Sequence, residues 1–192
     1  ESLEQFLEML REDEYKTLKD QVLYWTGELH LRGKNFGTAV TTYKRLIDGY
    51  PESPMLPYAI YSLAWCEEGE GHFEEAAAGY AELVQRFPEH LLVEEAHVRR
   101  TVCLLRQKKF DETLTNCRIF LETYPNSPWK SELLYLQGEL FFDQEQFQKA
   151  IPFYEEALLE KKEKPWRVRA LLHQGWSHLK LGAAEKALPI FQ

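Results

Sequence analysis

Cysteine, methionine and long apolar runs are all scarce in this chain of 192 residues, and each scarcity removes a class of protein. Three cysteines, Cys66, Cys103 and Cys117, give an odd count with no close pair, so neither a disulfide framework nor a cysteine metal site is written here. Apolar runs end after a few residues, too few for a membrane span. No cluster of lysine and arginine is long enough to follow a phosphate backbone. With a net charge of −8, nucleic acid is not an expected partner. The six histidines make no HExxH, and none pairs with a carboxylate at a metal-ligand spacing. A nucleophile elbow, a phosphate-cradling glycine loop and a dinucleotide fingerprint are also missing. Glu67-Glu68, Glu74-Glu75 and Glu155-Glu156 read as solvated helix faces. The expectation is a protein without catalytic residues, cofactor or bound metal.

Hydrophobic residues at 44% and aromatics at 14% are too many for a disordered chain. They are organised by one stretch, Ser53 to Pro88, which reads as two helices and a turn. Ser53 can cap a first helix that begins at Pro54 or at Pro57, since proline at the first position forfeits an N–H without a helical partner. Gly69, Glu70 and Gly71 end that helix. A second helix carries Ala76, Ala77, Tyr80, Leu83, Val84 and Phe87 at helical spacing, and Pro88 stops it. Neither helix can bury its stripe alone, so the unit needs copies of itself beside it.

The copies recur with a step of 37 residues. Small residues stand at Gly27, Ala64, Thr101, Gly138 and Gly175, and again at Ala39, Ala76, Thr113, Ala150 and Ala187. Aromatic columns run through Phe36, Phe73, Phe110 and Phe147, and through Tyr43, Tyr80, Tyr154 and Phe191, with Cys117 in the third place. Small residues let helix backbones approach, and the rings fill the space beside them. First helices are predicted near 20–33, 54–69, 92–107, 129–144 and 166–181, with no β-strand. Trp129 and Trp166, each after a helix-starting proline, share a column with Met55 and Leu92 and read as structural. The termini are out of phase with the unit. The opening ESLEQFLEML reads as an amphipathic helix rather than a signal peptide, and Phe6 lies one step before Tyr43. The chain therefore reads as a section of a longer array, with a partial unit at 1–14, full units at 20–51, 54–88, 91–125 and 128–162, and a truncated one at 165–192.

The small–aromatic pattern from Gly27 to Pro51, Ala64 to Pro88 and Gly138 to Ala157 resembles the tetratricopeptide repeat family, whose usual unit is about 34 residues. The resemblance implies one all-α domain, an α-solenoid wound as a right-handed superhelix. The third unit departs from the signature at Thr101, Thr113 and Cys117. The connections YPESPMLPYA and YPNSPWKSEL resemble bacterial cell-envelope members, such as the barrel-assembly lipoprotein of the outer membrane and the Tol–Pal-associated coordinator. That likeness implies the periplasm or the outer-membrane periphery.

In this family first helices line a concave groove that binds partner segments. Carried over residue by residue, that face holds Tyr24, Glu28, Leu31 and Arg32, then Tyr58, Tyr61, Trp65 and Glu68. It continues with Val98, Val102, Leu105 and Arg106, then Tyr135, Glu139, Phe142 and Asp143, and ends with Arg169, Leu172, Trp176 and Lys180. Aromatics beside charges of both signs resemble interface anchors. Packing between adjacent first helices is the competing reading for Tyr61 and Tyr135, whereas Trp65 and Trp176 read as groove residues. The expected partner is a protein or peptide segment. The alternatives are a structural subunit joined by its outer surface or by end-to-end self-association of terminal repeats, and a polysaccharide-binding or export scaffold.

Overall fold

The computed structural model describes residues 18–192. The expected partial helix at 1–14, with Phe6, lies outside them. The fold is all-α, with helix–turn–helix repeats of the solenoid kind and no strand among the described residues. First helices are α1 (Lys19–Arg32), α3 (Leu56–Glu70), α5 (Val93–Arg106), α7 (Lys130–Asp143) and α9 (Arg167–Lys180). Second helices are α2 (Phe36–Gly49), α4 (Phe73–Arg86), α6 (Phe110–Thr123), α8 (Phe147–Leu158) and α10 (Ala184–Ala187), the last running into a 3₁₀ turn at Leu188–Ile190. Every first and every second helix begins one 37-residue step after its predecessor.

The connections into the first helices differ from the expected cap. Ser53 does not start a helix at Pro54; its Oγ accepts the Met55 N–H at 3.0 Å, and α3 begins at Leu56. Ser127 does the same for Trp129 at 3.0 Å. In the third copy His90 Nδ1 takes that place, accepting from Leu92 N–H at 3.3 Å. Each side chain closes a short polar turn before its helix, which is the use that serine commonly has outside helices.

The turn between first and second helices is also periodic, and here glycine is dispensable. Lys34, Gly71, Lys108, Glu145 and Gly182 all have positive φ, between 57° and 83°. Each turn is closed by paired N–H donations, as from Gly71 to Glu68 O at 3.1 Å and from His72 to Glu67 O at 2.8 Å. The three non-glycine residues, all exposed, adopt the left-handed conformation in which their own N–H and the next one both reach carbonyls of the preceding helix.

The chain forms two compact units, Glu1–Ala96 and His97–Gln192. In the first, α1 packs on α2, α2 on α3 and α3 on α4. Ala39, Tyr43, Leu46, Ala76, Tyr80 and Leu83 of the second helices are fully or almost fully buried against Ala59, Ile60 and Ala64 of α3 and their neighbours. In the second, Cys117, Phe120, Leu133, Tyr154, Ala157 and Ala170 form one core, with Trp166 buried in it and Trp129 packed against it.

The small and aromatic columns meet as pairs. A Cβ added at Gly138 would lie 2.6 Å from Tyr154 Cε1, and one at Gly27 would lie 2.4 Å from Tyr43 Cε1. The third copy solves the same contact differently. Thr101 and Cys117, both fully buried, sit 3.9 Å apart, and the volume given up by the missing ring is used by polar groups. His97 Nδ1 meets Asn116 Oδ1 at 2.9 Å, while Asn116 Nδ2 donates to His97 O at 2.9 Å and to Thr101 Oγ1 at 2.8 Å.

Candidate functional site

The first helices carry the candidate face, and the second helices determine how much of it is free. In the first unit, Tyr43 donates from its hydroxyl to Glu28 at 2.7 Å, and Ser62 of the next first helix donates to the same oxygen at 2.8 Å. The second unit repeats this, with Tyr154 donating to Glu139 at 2.7 Å and His173 Nδ1 lying 2.6 Å from Glu139 Oε1. The His173 ring lies flat against Phe142, 4.1 Å between centroids and 4° from parallel. Glu28 and Glu139 therefore tie three helices together rather than standing as unengaged charges. Glu68 accepts from Tyr80 at 2.9 Å. Burial, with the adjacent carboxylate, pushes the Tyr43 and Tyr154 phenols far up, so both stay protonated donors and neither serves as a base.

The remaining expected groove residues divide by exposure. Tyr61 and Tyr135 are buried. Tyr61 donates to Glu95 at 2.7 Å, and Tyr135 stacks on Trp166 with centroids 5.1 Å apart. Val98 is buried as well, while Tyr24, Leu31, Tyr58, Val102, Leu105 and Phe142 are half-buried. Arg32, Arg106, Asp143, Arg169, Leu172 and Lys180 are exposed. Trp65 and Trp176 present indoles that are 42% and 51% exposed. Trp65 rests edge-on against Tyr61 at 6.2 Å, and Tyr58 contacts Tyr24 at 6.0 Å and His90 at 4.7 Å. Trp176 occupies the column of Glu28 and Glu139, the position that in those copies receives a side chain from the following first helix.

Two features escaped the sequence reading. A groove of about 620 Å³ in the second unit is lined by Leu114 and Leu121 of α6, Leu134 and Gln137 of α7, and Phe153 of α8. None of the expected groove residues lines it. The second is a histidine beside two carboxylates, where none was expected. His72 Nδ1 stands 2.8 Å from Glu67 Oε2 and 3.8 Å from Glu70 Oε2. The left-handed Gly71 turn brings them together, and a glycine between an E-x-x-E pair and a histidine was the available signal.

The buried His97 predicts a pH dependence. Burial holds its imidazole below the ordinary value of about 6.5, with the Asn116 hydrogen bond opposing in part. As pH falls below the ordinary value, the unfolded chain takes up a proton that the folded one refuses, so stability declines down to the lowered folded value. His90 shifts in the same direction through burial. Urea unfolding at pH 7.5 and pH 5.5 should show a loss in acid that is smaller in His97→Gln. An equal loss in both proteins would remove His97 as its source.

The comparisons agree with this architecture. A family model described as tetratricopeptide repeat-like domain matches residues 9–181. No curated protein matches the sequence. Among solved structures, MamA (41–end) from Desulfovibrio magneticus RS-1 superposes with a TM-score of 0.74 at 18% identity, covering 90% of this chain and 91% of that one. BtubC (BKLC) from P. vanneervenii gives 0.75 at 16% identity, covering 98% of this chain and 84% of that one.

Proposed function

Because the chain belongs to the tetratricopeptide repeat-like domain family, a family of protein-interaction scaffolds, we propose that it binds a partner segment along its first helices, with Trp65 as an anchor. The observation that carries this is the Trp65 indole, 42% exposed and backed by the buried Tyr61 ring. A large ring held against a rigid support, yet open to water, is the arrangement in which an interface gains most from one side chain. Tyr24 and Tyr58, half-buried and in mutual contact, extend the aromatic surface, and Arg32 is exposed for a carboxylate of the partner. A role in a bacterial envelope assembly rests on the two YPxSP segments alone.

Trp65→Ala should weaken binding by about 2 kcal/mol, roughly thirtyfold. Folding should suffer less, since much of the ring is already in water. The test pairs the melting temperature with the recovery of native partners by this variant and by the parent. A collapsed melting temperature would make Trp65 core. Intact recovery would place the partner surface elsewhere.

End-to-end self-association is favoured by a separate observation. Val168 and Leu172 of α9 are 68% and 46% exposed, whereas Ser131 and Tyr135, one repeat earlier in the same columns, are buried. Trp25 and Leu29 of α1 are similarly open, although Ser62 and Cys66 one repeat later are buried. A second copy would cover these faces, and sedimentation over a wide concentration range decides it. For the polysaccharide reading, titration with oligosaccharides stands beside peptide libraries. No helix among the described residues is long and apolar enough to cross a membrane.

A further inference from the structure

We propose that the turn closing α3 is a binding site for a divalent transition-metal ion of the zinc class, ligated by Glu67, Glu70 and His72. The three donor atoms lie within 4.8 Å of one another. Zinc bonds of about 2.0–2.2 Å to nitrogen and oxygen require donors roughly 3.3 Å apart around a tetrahedral ion. The imidazole nitrogen is 2.8 Å from one carboxylate oxygen and 3.8 Å from the other, so the two distances bracket that value. Glu67 is fixed by burial, and small rotations of the exposed His72 and Glu70 side chains bring both to it. An imidazole with two carboxylates is a donor set that suits zinc and its neighbours rather than calcium or magnesium, and it leaves a coordination position for water or for a donor from a partner.

The donors are positioned by the backbone and not by attraction between side chains alone. Gly71 holds φ at 83°, and the His72 N–H donates to Glu67 O at 2.8 Å, which folds the histidine back over the last turn of α3. Cations are favoured there, because helix carbonyls without partners collect at that end. Glu67 supplies the second argument. It is 8% exposed, and its Oε1 faces Lys44 at 3.5 Å, which leaves Oε2 to the His72 side. Other copies have His30, Leu104, Phe141 and His178 at that position, so packing does not require a carboxylate there. A charge in so buried a place needs positive partners, and the trio provides for one.

The test is calorimetric titration of the chelator-stripped protein with zinc chloride. The parent should bind one equivalent, and His72→Ala should weaken this about tenfold or more. Glu67→Gln should do the same, while Lys44→Ala should bind at least as tightly as the parent. His72 is exposed, so His72→Ala keeps its fold, and circular dichroism verifies that each variant remains helical. Parental affinity in His72→Ala would overturn the site, by assigning the zinc to other histidines. Absence of binding to the parent at millimolar zinc would overturn it outright.

Discussion

Gly138→Leu is expected to destabilise the protein by about 3 kcal/mol, the upper end for overpacking. Even the first carbon of a side chain would meet Tyr154 Cε1 at 2.6 Å. The ring cannot step aside. It is fully buried, and its hydroxyl is held by Glu139, which also engages His173. Damage should therefore reach α9, because each repeat is stabilised by its neighbours. Gly175→Leu should cost less, although a Cβ there would lie 2.4 Å from Phe191, since that ring is 43% exposed and free to move outward. Gly37→Ala has nothing within 4 Å of the new carbon and should be neutral or slightly stabilising. Thermal unfolding of the three variants should rank them in that order. A Gly138→Leu protein that melts within a degree of the parent would show that α7 and α8 do not make this contact.

The second large effect is expected at the polar core of the third repeat. Asn116 is 2% exposed and satisfies His97 Nδ1, the His97 carbonyl and the Thr101 hydroxyl, with Arg100 adding a contact at 3.2 Å. Asn116→Leu preserves much of the volume and removes all of these bonds. A buried donor left without a partner costs about 1–3 kcal/mol, so a loss of about 2–3 kcal/mol follows in denaturant unfolding. Where His97 stands, other copies have Leu23, Ile60, Leu134 and Leu171, so an apolar side chain fits that position. His97→Leu combined with Asn116→Leu should accordingly be less damaging than Asn116→Leu alone, because removing both partners leaves less unsatisfied. A neutral Asn116→Leu, or a double variant worse than the sum of its parts, would refute the network as a source of stability.

The Gly138 prediction begins from what the sequence carries openly, the Asn116 one from contacts that only the folded chain makes. Spacing alone determined the helix pairs, their 37-residue step and the columns of small and aromatic residues that run through the copies. These follow from local periodicity and from the volume two adjacent helices can share, quantities a sequence records directly. The exposed indoles of Trp65 and Trp176 belong to the same category, as each stands on a helical face beside charged residues.

Tertiary structure alone decided the rest. Lys34, Lys108 and Glu145 adopt left-handed backbone without being glycine, because that conformation lets two successive N–H groups cap the preceding helix. Spacing put Glu28 and Glu139 on the groove face, but only the fold showed Ser62 and His173, 34 residues on, against them. Tyr61 and Tyr135 could be groove or core by spacing, and contacts with Glu95 and Trp166 buried them. His72 met Glu67 and Glu70 only through the reversal at Gly71. Periodicity states which face a residue occupies, while its hydrogen bonds and burial depend on what the neighbouring repeat brings to that face.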